Sequence, residues 1–176
     1  MSVTERSDLN QYLTFTLSEE LFALDIAWVK EILSDVKITK IPRMPHFIMG
    51  VINVRGHAMP VINLHRKFGM PDAPLTNETC VIITEIDLDD EMVVIGALAD
   101  TVQEVLELKP DQIDPPPRMG AAIDARFMKG FGKHNDAFII ILDINGVFTD
   151  EDIEAVQKAG DYAPGKTAAE TEIMEA

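Results

Sequence analysis

The feature that most constrains this chain is a series of short apolar segments, separated by polar or glycine-containing turns without a helix of a dozen residues between them. Residues 12–17 alternate, with Leu13, Phe15 and Leu17 on one side, which is the period of a half-buried strand. Further strands are predicted at 22–26, 48–54, 58–64, 79–86, 92–100, 102–108 and 137–144. Because parallel sheets need helical crossovers, this spacing predicts β-barrels or a sandwich.

The turns between these segments predict how they connect. The polar step at Ser18, Glu19 and Glu20 is short enough for a hairpin, and Gly56 supplies the positive φ of a tight turn between 48–54 and 58–64. Pro42 and Pro45 cannot donate ladder hydrogen bonds, so they mark an edge or a loop. Pro115, Pro116 and Pro117 predict a stiff connector, and an acidic turn is expected at 87–91.

Two helices are predicted. Val29, Ile32 and Leu33 lie at helical spacing, which indicates about two turns of helix within 26–34. Thr149 can cap a closing helix that carries acidic residues in its first turn and ends near residue 159. We expect a folded domain over 11–159, a flexible N-terminal segment at 1–10 and an acidic, disordered tail at 160–176, where few large hydrophobic residues occur.

Charge limits the partners of this domain. The chain has 30 acidic and 15 basic residues, a formal net charge of −15. This charge repels phosphate backbones and anionic lipids, so neither nucleic-acid binding nor direct membrane insertion is expected. No apolar run is long enough for a membrane span. The single cysteine, Cys80, is interpreted as a small core hydrophobe in a reducing compartment. We therefore expect a cytoplasmic protein that binds other proteins.

Catalytic and metal-binding patterns are weak. The histidines lack paired-ligand spacing and are interpreted as surface or turn residues: His46, His57, His65 and His134. The Gly130-Phe131-Gly132 run lacks the lysine and hydroxyl of a phosphate loop, and a turn is predicted there. We expect no catalytic residues, no metal ligands and no cofactors. The alternative, a small barrel enzyme or ligand-binding protein, would need a convergent polar pocket.

One segment carries a specific resemblance. Residues 47–56, FIMGVINVRG, followed by PVINL at 60–64, resemble the signature of the CheW family of chemotaxis coupling proteins. Three further stretches agree with that family: VKEI at 29–32, GALAD at 96–100 with Val102 and Val105 after it, and GFG at 130–132. The similarity covers about 11–148.

The resemblance implies a fold and a role. The implied fold, over 11–159, is mainly β, with two packed five-stranded SH3-like β-barrel subdomains, short helices and a C-terminal helix. The implied role is a non-enzymatic adaptor that binds the regulatory domain of a CheA-type histidine kinase and the tip of a methyl-accepting chemoreceptor. Such a protein is cytoplasmic and recruited to membrane-associated receptor arrays, and whether it also forms rings by itself is left open. The alternative is a CheW-like coupler in a non-flagellar pathway that controls surface motility or gene expression.

The same resemblance implies binding residues. Arg55 is expected to contact kinase and receptor, with Asn53 and Gly56 shaping its turn, although a solvated turn arginine is the alternative. An apolar surface beside a charge is expected to meet the kinase, and a groove between the barrels to meet a receptor helix. The first comprises Val29, Glu31 and Ile32, and the second comprises Asp100, Val102 and Val105. Packing of these valines and of Ile32 into the interior is the competing explanation.

Overall fold

Ten strands form two five-stranded sheets within residues 10–88, 91–116 and 124–160, the ranges that this computed structural model describes. The first sheet contains β1 (Gln11–Leu17), β2 (Glu20–Asp25), β8 (Thr101–Glu107), β9 (Met128–His134) and β10 (Ala137–Leu142). The second contains β3 (Val29–Ser34), β4 (Ile48–Val54), β5 (His57–Asn63), β6 (Cys80–Leu88) and β7 (Glu91–Ala99). The strand orders are β8-β1-β2-β10-β9 and β3-β6-β7-β5-β4, so the second sheet is inserted between β2 and β8 of the first.

The remaining elements are short. Helix α1 is Leu64–Lys67, helix α2 is Asp150–Gly160, and three 3₁₀ turns lie at Ile26–Trp28, Pro110–Gln112 and Ala125–Phe127. No helix in the described ranges is both long and apolar enough to cross a membrane. The predicted mainly β fold of two five-stranded units is confirmed. Most of segment 1–10, the centre of the acidic turn, Pro117 and residues 161–176 lie outside the described residues.

Three apolar clusters explain why the two sheets pack together. One cluster fills the first sheet's own interior and includes Tyr12 and Ile139, and another fills that of the second and includes Val61 and Val81. The largest cluster lies between the sheets and draws Phe15 and other residues from both. Strand β1 is therefore buried on both faces, and the prediction of a half-buried strand at 12–17 is wrong on this point.

Both predicted tight turns are confirmed. Strands β1 and β2 pair from Tyr12↔Asp25 to Leu17↔Glu20, with Ser18 and Glu19 both at positive φ. Strands β4 and β5 likewise pair around Arg55 and Gly56, whose φ values are 51° and 87°. Two successive residues at positive φ are the geometry whose twist matches the strands that such a turn joins.

The predicted helix at 26–34 is wrong. Only Ile26–Trp28 forms a 3₁₀ turn, and Val29–Ser34 is strand β3, which pairs with β6. Three apolar residues within five positions fit a helical and an extended period equally well. Tertiary pairing decides the outcome, because β6 offers a ladder, with one irregularity between Val29 and Glu31, to a segment that contains two β-branched residues, Val29 and Ile32.

Three smaller predictions also need correction. Gly130 and Gly132 lie inside strand β9 rather than in a turn. Position 130 requires glycine because a Cβ there would lie 2.4 Å from the Asp114 carbonyl oxygen. Cys80 is half-buried rather than a core residue, and its Sγ donates to the Glu78 carbonyl, while partial burial raises the pKa of the thiol. His65 is fully buried, not a surface residue.

The closing helix begins as predicted and is held by a half-buried cation, Lys67. The Thr149 Oγ1 accepts a hydrogen bond from the Asp152 backbone N–H at 3.1 Å, and the Asp152 carboxylate accepts one from the Thr149 N–H at 3.0 Å. Lys67 of α1 donates to the same carboxylate and lies 4.6 Å from the centre of the Phe47 ring. The pair thereby fixes α2 to α1 over an aromatic surface.

Asp152 makes stability depend on pH. Partial burial alone would raise its pKa, but hydrogen bonds from Lys67 and Thr149 outweigh burial and hold the pKa below the ordinary value of an aspartate. A lowered folded-state pKa gives stability that is complete above the unfolded pKa and is lost as the pH falls through the folded value. We expect the stability advantage of wild type over Asp152→Asn, measured by urea unfolding, to be full at pH 6 and to shrink below about pH 4. An advantage that stayed constant across that range would contradict this assignment.

Candidate functional site

The turn between β4 and β5 forms an exposed corner whose shape is fixed by its own side chains. The Asn53 Oδ1 accepts a hydrogen bond from the Gly56 backbone N–H at 2.8 Å. Glycine suits this position because φ is +87°, and nothing lies within 4 Å of where its Cβ would be. Asn53 and Gly56 therefore hold the turn, and Arg55 stands at its tip.

Arg55 is engaged by a carboxylate of its own chain. Its Nη1 donates to Glu31 Oε1 at 3.0 Å and its Nη2 to Glu31 Oε2 at 3.2 Å, a two-point contact. These hydrogen bonds lower the pKa of the Glu31 carboxyl and raise that of the Arg55 guanidinium. Because β3 and β4 are the two edges of the second sheet, the pair connects those edges. The Arg55 side chain stays 73% exposed, so its other N–H groups face solvent.

Strand β3 carries two apolar side chains on the face opposite to that of Glu31. Ile32 is opposite Ile82, a residue of the cluster between the sheets, yet it stays 42% exposed. Val29 is half-buried and packs against the same cluster. The Arg55–Glu31 pair thus connects β3 to the β4–β5 turn, and we call the six predicted residues of these two elements the corner patch: Val29, Glu31, Ile32, Asn53, Arg55 and Gly56.

Two of the other predicted residues, Val102 and Val105, lie on the first sheet. Strand β8 is an edge, and Val102 and Val105 are opposite Phe15 and Leu13 of β1, so both valines are on the face that packs against the second sheet. Val102 packs against the core, whereas Val105 is 48% exposed. We call Val102 and Val105 the β8 margin. The apolar layer between the sheets ends at this margin, where the Val105 side chain contacts solvent.

Asp100 joins several elements. Its backbone N–H donates to the Thr16 carbonyl at 3.0 Å, and its carboxylate accepts from the Ser18 N–H at 2.8 Å. The same carboxylate lies 3.2 Å from Nε2 of the buried His65. Asp100 therefore fixes the crossing from β7 to β8 against the β1–β2 turn and α1. The His65 contact could not be predicted from local patterns, because 35 positions separate the two residues.

Within the described ranges, no three histidine, cysteine, aspartate or glutamate side chains are grouped closely enough to hold a metal ion. The arrangement that the predicted site residues do form is a pre-shaped turn with a guanidinium, bordered by half-exposed aliphatic side chains. Such a surface is suited to contact carboxylates and apolar groups of another polypeptide.

The chain is similar to a known family and to known proteins over most of its length. A family model described as the CheW-like domain matches residues 11–152. The chain is 32% identical over 146 residues to the chemotaxis protein CheW of Klebsiella aerogenes, covering 83% of this chain and 86% of that one. It is 29% identical over 144 residues to the chemotaxis protein CheW of Treponema pallidum, covering 82% and 85%.

A solved structure agrees with the fold. The crystal structure of the scaffolding protein TtCheW from Thermoanaerobacter tengcongensis is 38% identical to the chain, with a TM-score of 0.72. The match covers 81% of this chain and 90% of that one.

Proposed function

The chain belongs to the CheW-like domain family and is a chemotaxis scaffold of the CheW type, and from this we propose that it couples a CheA-type histidine kinase to the tip of a methyl-accepting chemoreceptor. The observation that carries the proposal is the corner patch, where an exposed Arg55 is held by Glu31 beside the exposed Ile32. A scaffold acts by raising the effective concentration of its partners and by binding their states with different affinity.

The kinase regulatory domain is the proposed partner of the corner patch. Glu31 fixes the guanidinium, so few side-chain rotations are lost when a partner carbonyl or carboxylate accepts from its remaining N–H groups. Ile32 then supplies exposed apolar surface, since 42% of this residue is accessible to solvent and the rest is already packed against the protein. Arginine beside an aliphatic surface is a common composition for the centre of a protein interface.

The receptor tip is the proposed partner of the β8 margin. Val105 extends the apolar layer between the sheets into solvent, where an amphipathic helix can lay its apolar face. Asp100 serves this surface indirectly, because its hydrogen bonds to Thr16 and Ser18 fix the start of β8. We propose it as a positioning residue and not as a contact.

We also propose where the protein acts and that it does not itself transform a substrate. The protein works in the cytoplasm and reaches the membrane-associated array through its partners, since its charge disfavours direct contact with anionic lipids. It contributes no catalytic group, and the kinase performs the covalent chemistry of the complex.

Reconstitution tests the proposal. Purified protein is mixed with a CheA regulatory domain and a soluble receptor-tip fragment, and complexes are separated by size. We expect a complex that contains all three components and does not form from kinase domain and receptor fragment alone. Binding of neither partner at concentrations of about 0.1 mM would overturn the proposed function.

The two valines of the β8 margin differ in expected effect. Val105→Ala removes an exposed group, so stability should change by less than about 0.5 kcal/mol while the dissociation constant for the receptor fragment rises severalfold. Val102→Ala removes a group packed on the core and should cost about 1 kcal/mol of unfolding free energy. Urea unfolding and calorimetry measure the two effects. Unchanged receptor affinity in Val105→Ala would remove this valine from the interface.

A further inference from the structure

A cavity of about 440 Å³ lies between β5, β7 and the end of helix α2, away from both proposed partner surfaces. Ala58 and Pro60 of β5 line one side, and residues 92–94 of β7 line another. Val156 and Gly160 of α2 also line it, and a Cβ on Gly160 would lie 3.8 Å from the Pro60 side chain. The volume is in the range of ligand-binding clefts. We call this cavity the β5–β7 groove.

The groove opens where the ladder between β5 and β7 stops. These strands pair in parallel, and the described ladder joins Val61–Asn63 to Gly96–Leu98. Continuing that register would place Ala58 opposite Val93, but the described ladder does not reach them. Both residues line the groove instead. The first half of β7 therefore lies beside β5 without being paired to it.

Pro60 explains why the ladder stops there. Its partner on β4 is Val51, which exchanges two backbone hydrogen bonds of 2.8 Å with Thr39. The N–H and C=O of Val51 therefore point away from β5. In such a non-hydrogen-bonded pair the opposite residue also turns its backbone groups outward, so those of Pro60 face β7. Because proline has no N–H, β5 offers β7 no donor at this position.

Strand β7 consequently presents an unpaired backbone edge to the groove. Alternate residues of an antiparallel strand direct their N–H and C=O groups to opposite sides, so pairing with β6 uses only half of those of residues 92–94. Among the described residues, no backbone pairing joins 92–94 to β5. An unpaired strand edge is a template for another chain, and an extended peptide can add to it as a further strand.

The side chains at the groove indicate which kind of segment fits. Met92 is 50% exposed, and methionine adapts its shape to an apolar partner. Asp87 is opposite Met92 and is exposed, and residues 85–91 contain five acidic residues and no basic one. The C-terminal end of α2 adds partial negative charge, and the base of its last turn, Lys158, is paired with a glutamate one turn earlier. This charge favours a basic segment.

We propose that the β5–β7 groove binds an extended, basic segment of a partner polypeptide as an added strand along β7. The main chain of the segment pairs with residues 92–94, its apolar side chains contact Met92, and its basic side chains lie near Asp87. Main-chain pairing supplies affinity, and the local negative charge supplies the preference for lysine or arginine. The inference concerns residues outside the corner patch and the β8 margin, so its failure would leave the kinase and receptor assignments unchanged.

Synthetic peptides test this proposal on the full chain by amide chemical shifts. The probe is a capped peptide of about eight alternating lysine and valine residues, a typical strand length. We expect it to shift the amides of Met92, Val93 and Val94 saturably. The same peptide with glutamate in place of lysine should bind about tenfold more weakly or worse. A lysine peptide N-methylated at its central residues keeps its charge but loses donors on both edges, and it should lose about tenfold or more in affinity.

Matched protein variants locate the charge effect. Asp87→Lys should weaken binding of the lysine peptide about fivefold, whereas Glu107→Lys, the same change of charge at an exposed position of β8, should change it by less than about twofold. Absence of a saturable shift at about 2 mM peptide, or equal binding by the N-methylated peptide, would overturn the proposal. Shifts of the same amides when the protein alone is concentrated would also overturn it, since a second copy would then occupy the groove.

Discussion

Replacing Arg55 with glutamate is expected to weaken binding of the CheA-type regulatory domain about thirtyfold or more while the fold stays intact. The substitution removes the guanidinium and places a second carboxylate beside Glu31, so the corner patch changes from a neutralised pair to a doubly negative site. Stability should change little, because the side chain is exposed and surface ion pairs contribute little. Calorimetry measures the affinity, and circular dichroism checks the fold.

Two controls separate charge, local shape and direct contact. Arg126→Glu makes the same change at an arginine that is 72% exposed and paired with Asp124, and it should bind the kinase like wild type. The double variant Glu31→Arg with Arg55→Glu restores an ion pair of reversed polarity. It should stay as weak as Arg55→Glu if the guanidinium itself meets the partner. Full recovery in the double variant would mean that the pair only shapes the turn and would remove Arg55 as a contact.

Replacing Gly50 with alanine is expected to cause a large loss of stability. A Cβ at this position would lie 2.2 Å from the Thr39 carbonyl oxygen and 2.8 Å from its carbon. These are backbone atoms that hold the Thr39–Val51 bridge, so they cannot move without breaking its hydrogen bonds. We expect the free energy of unfolding to fall by about 3 kcal/mol in urea titrations, at the upper end for overpacking.

Gly69 provides the matched control for this steric effect. Its φ is +77°, but nothing lies within 4 Å of its would-be Cβ. Gly69→Ala should therefore cost only the conformational term, about 1 kcal/mol. Equal losses at Gly50 and Gly69 would show that the loop at Thr39 yields easily and that its contact with β4 is not tightly packed.

The sequence predicts most strands of this fold but not how they pair across distance. Alternation locates β1 and β2, and apolar, partly β-branched runs locate β4 and β5. The short polar step and the glycine turn then predict that each pair forms a hairpin. The β3 segment is ambiguous, because its apolar spacing suits two periods and only pairing with β6 decides. Gly130 likewise misleads the prediction, which placed a turn there. Glycine is required at this position by the close approach of Asp114, which is distant in sequence.

In the candidate site, too, local sequence predicts the turn but not the contacts between residues that are far apart in the chain. The family motif locates Arg55 and Gly56 on a turn that Asn53 shapes, and the structure places Arg55 and Gly56 in that turn and Asn53 near the end of β4. It does not reveal that Glu31 neutralises Arg55, because that contact exists only where the two edges of the second sheet meet. Nor does it separate Val102 from Val105, whose different exposure depends on where the layer between the sheets ends.

We propose that this molecule binds two polypeptides through two separate surfaces. Mapping of amide chemical shifts tests this most directly. Isotope-labelled protein is titrated first with the kinase regulatory domain and then, separately, with the receptor-tip fragment. We expect the kinase domain to shift the amides of Ile32, Arg55 and Gly56, and the receptor fragment to shift those of Val105 and its β8 neighbours. Shifts from both partners confined to one surface, or centred on residues outside the corner patch and the β8 margin, would contradict the account.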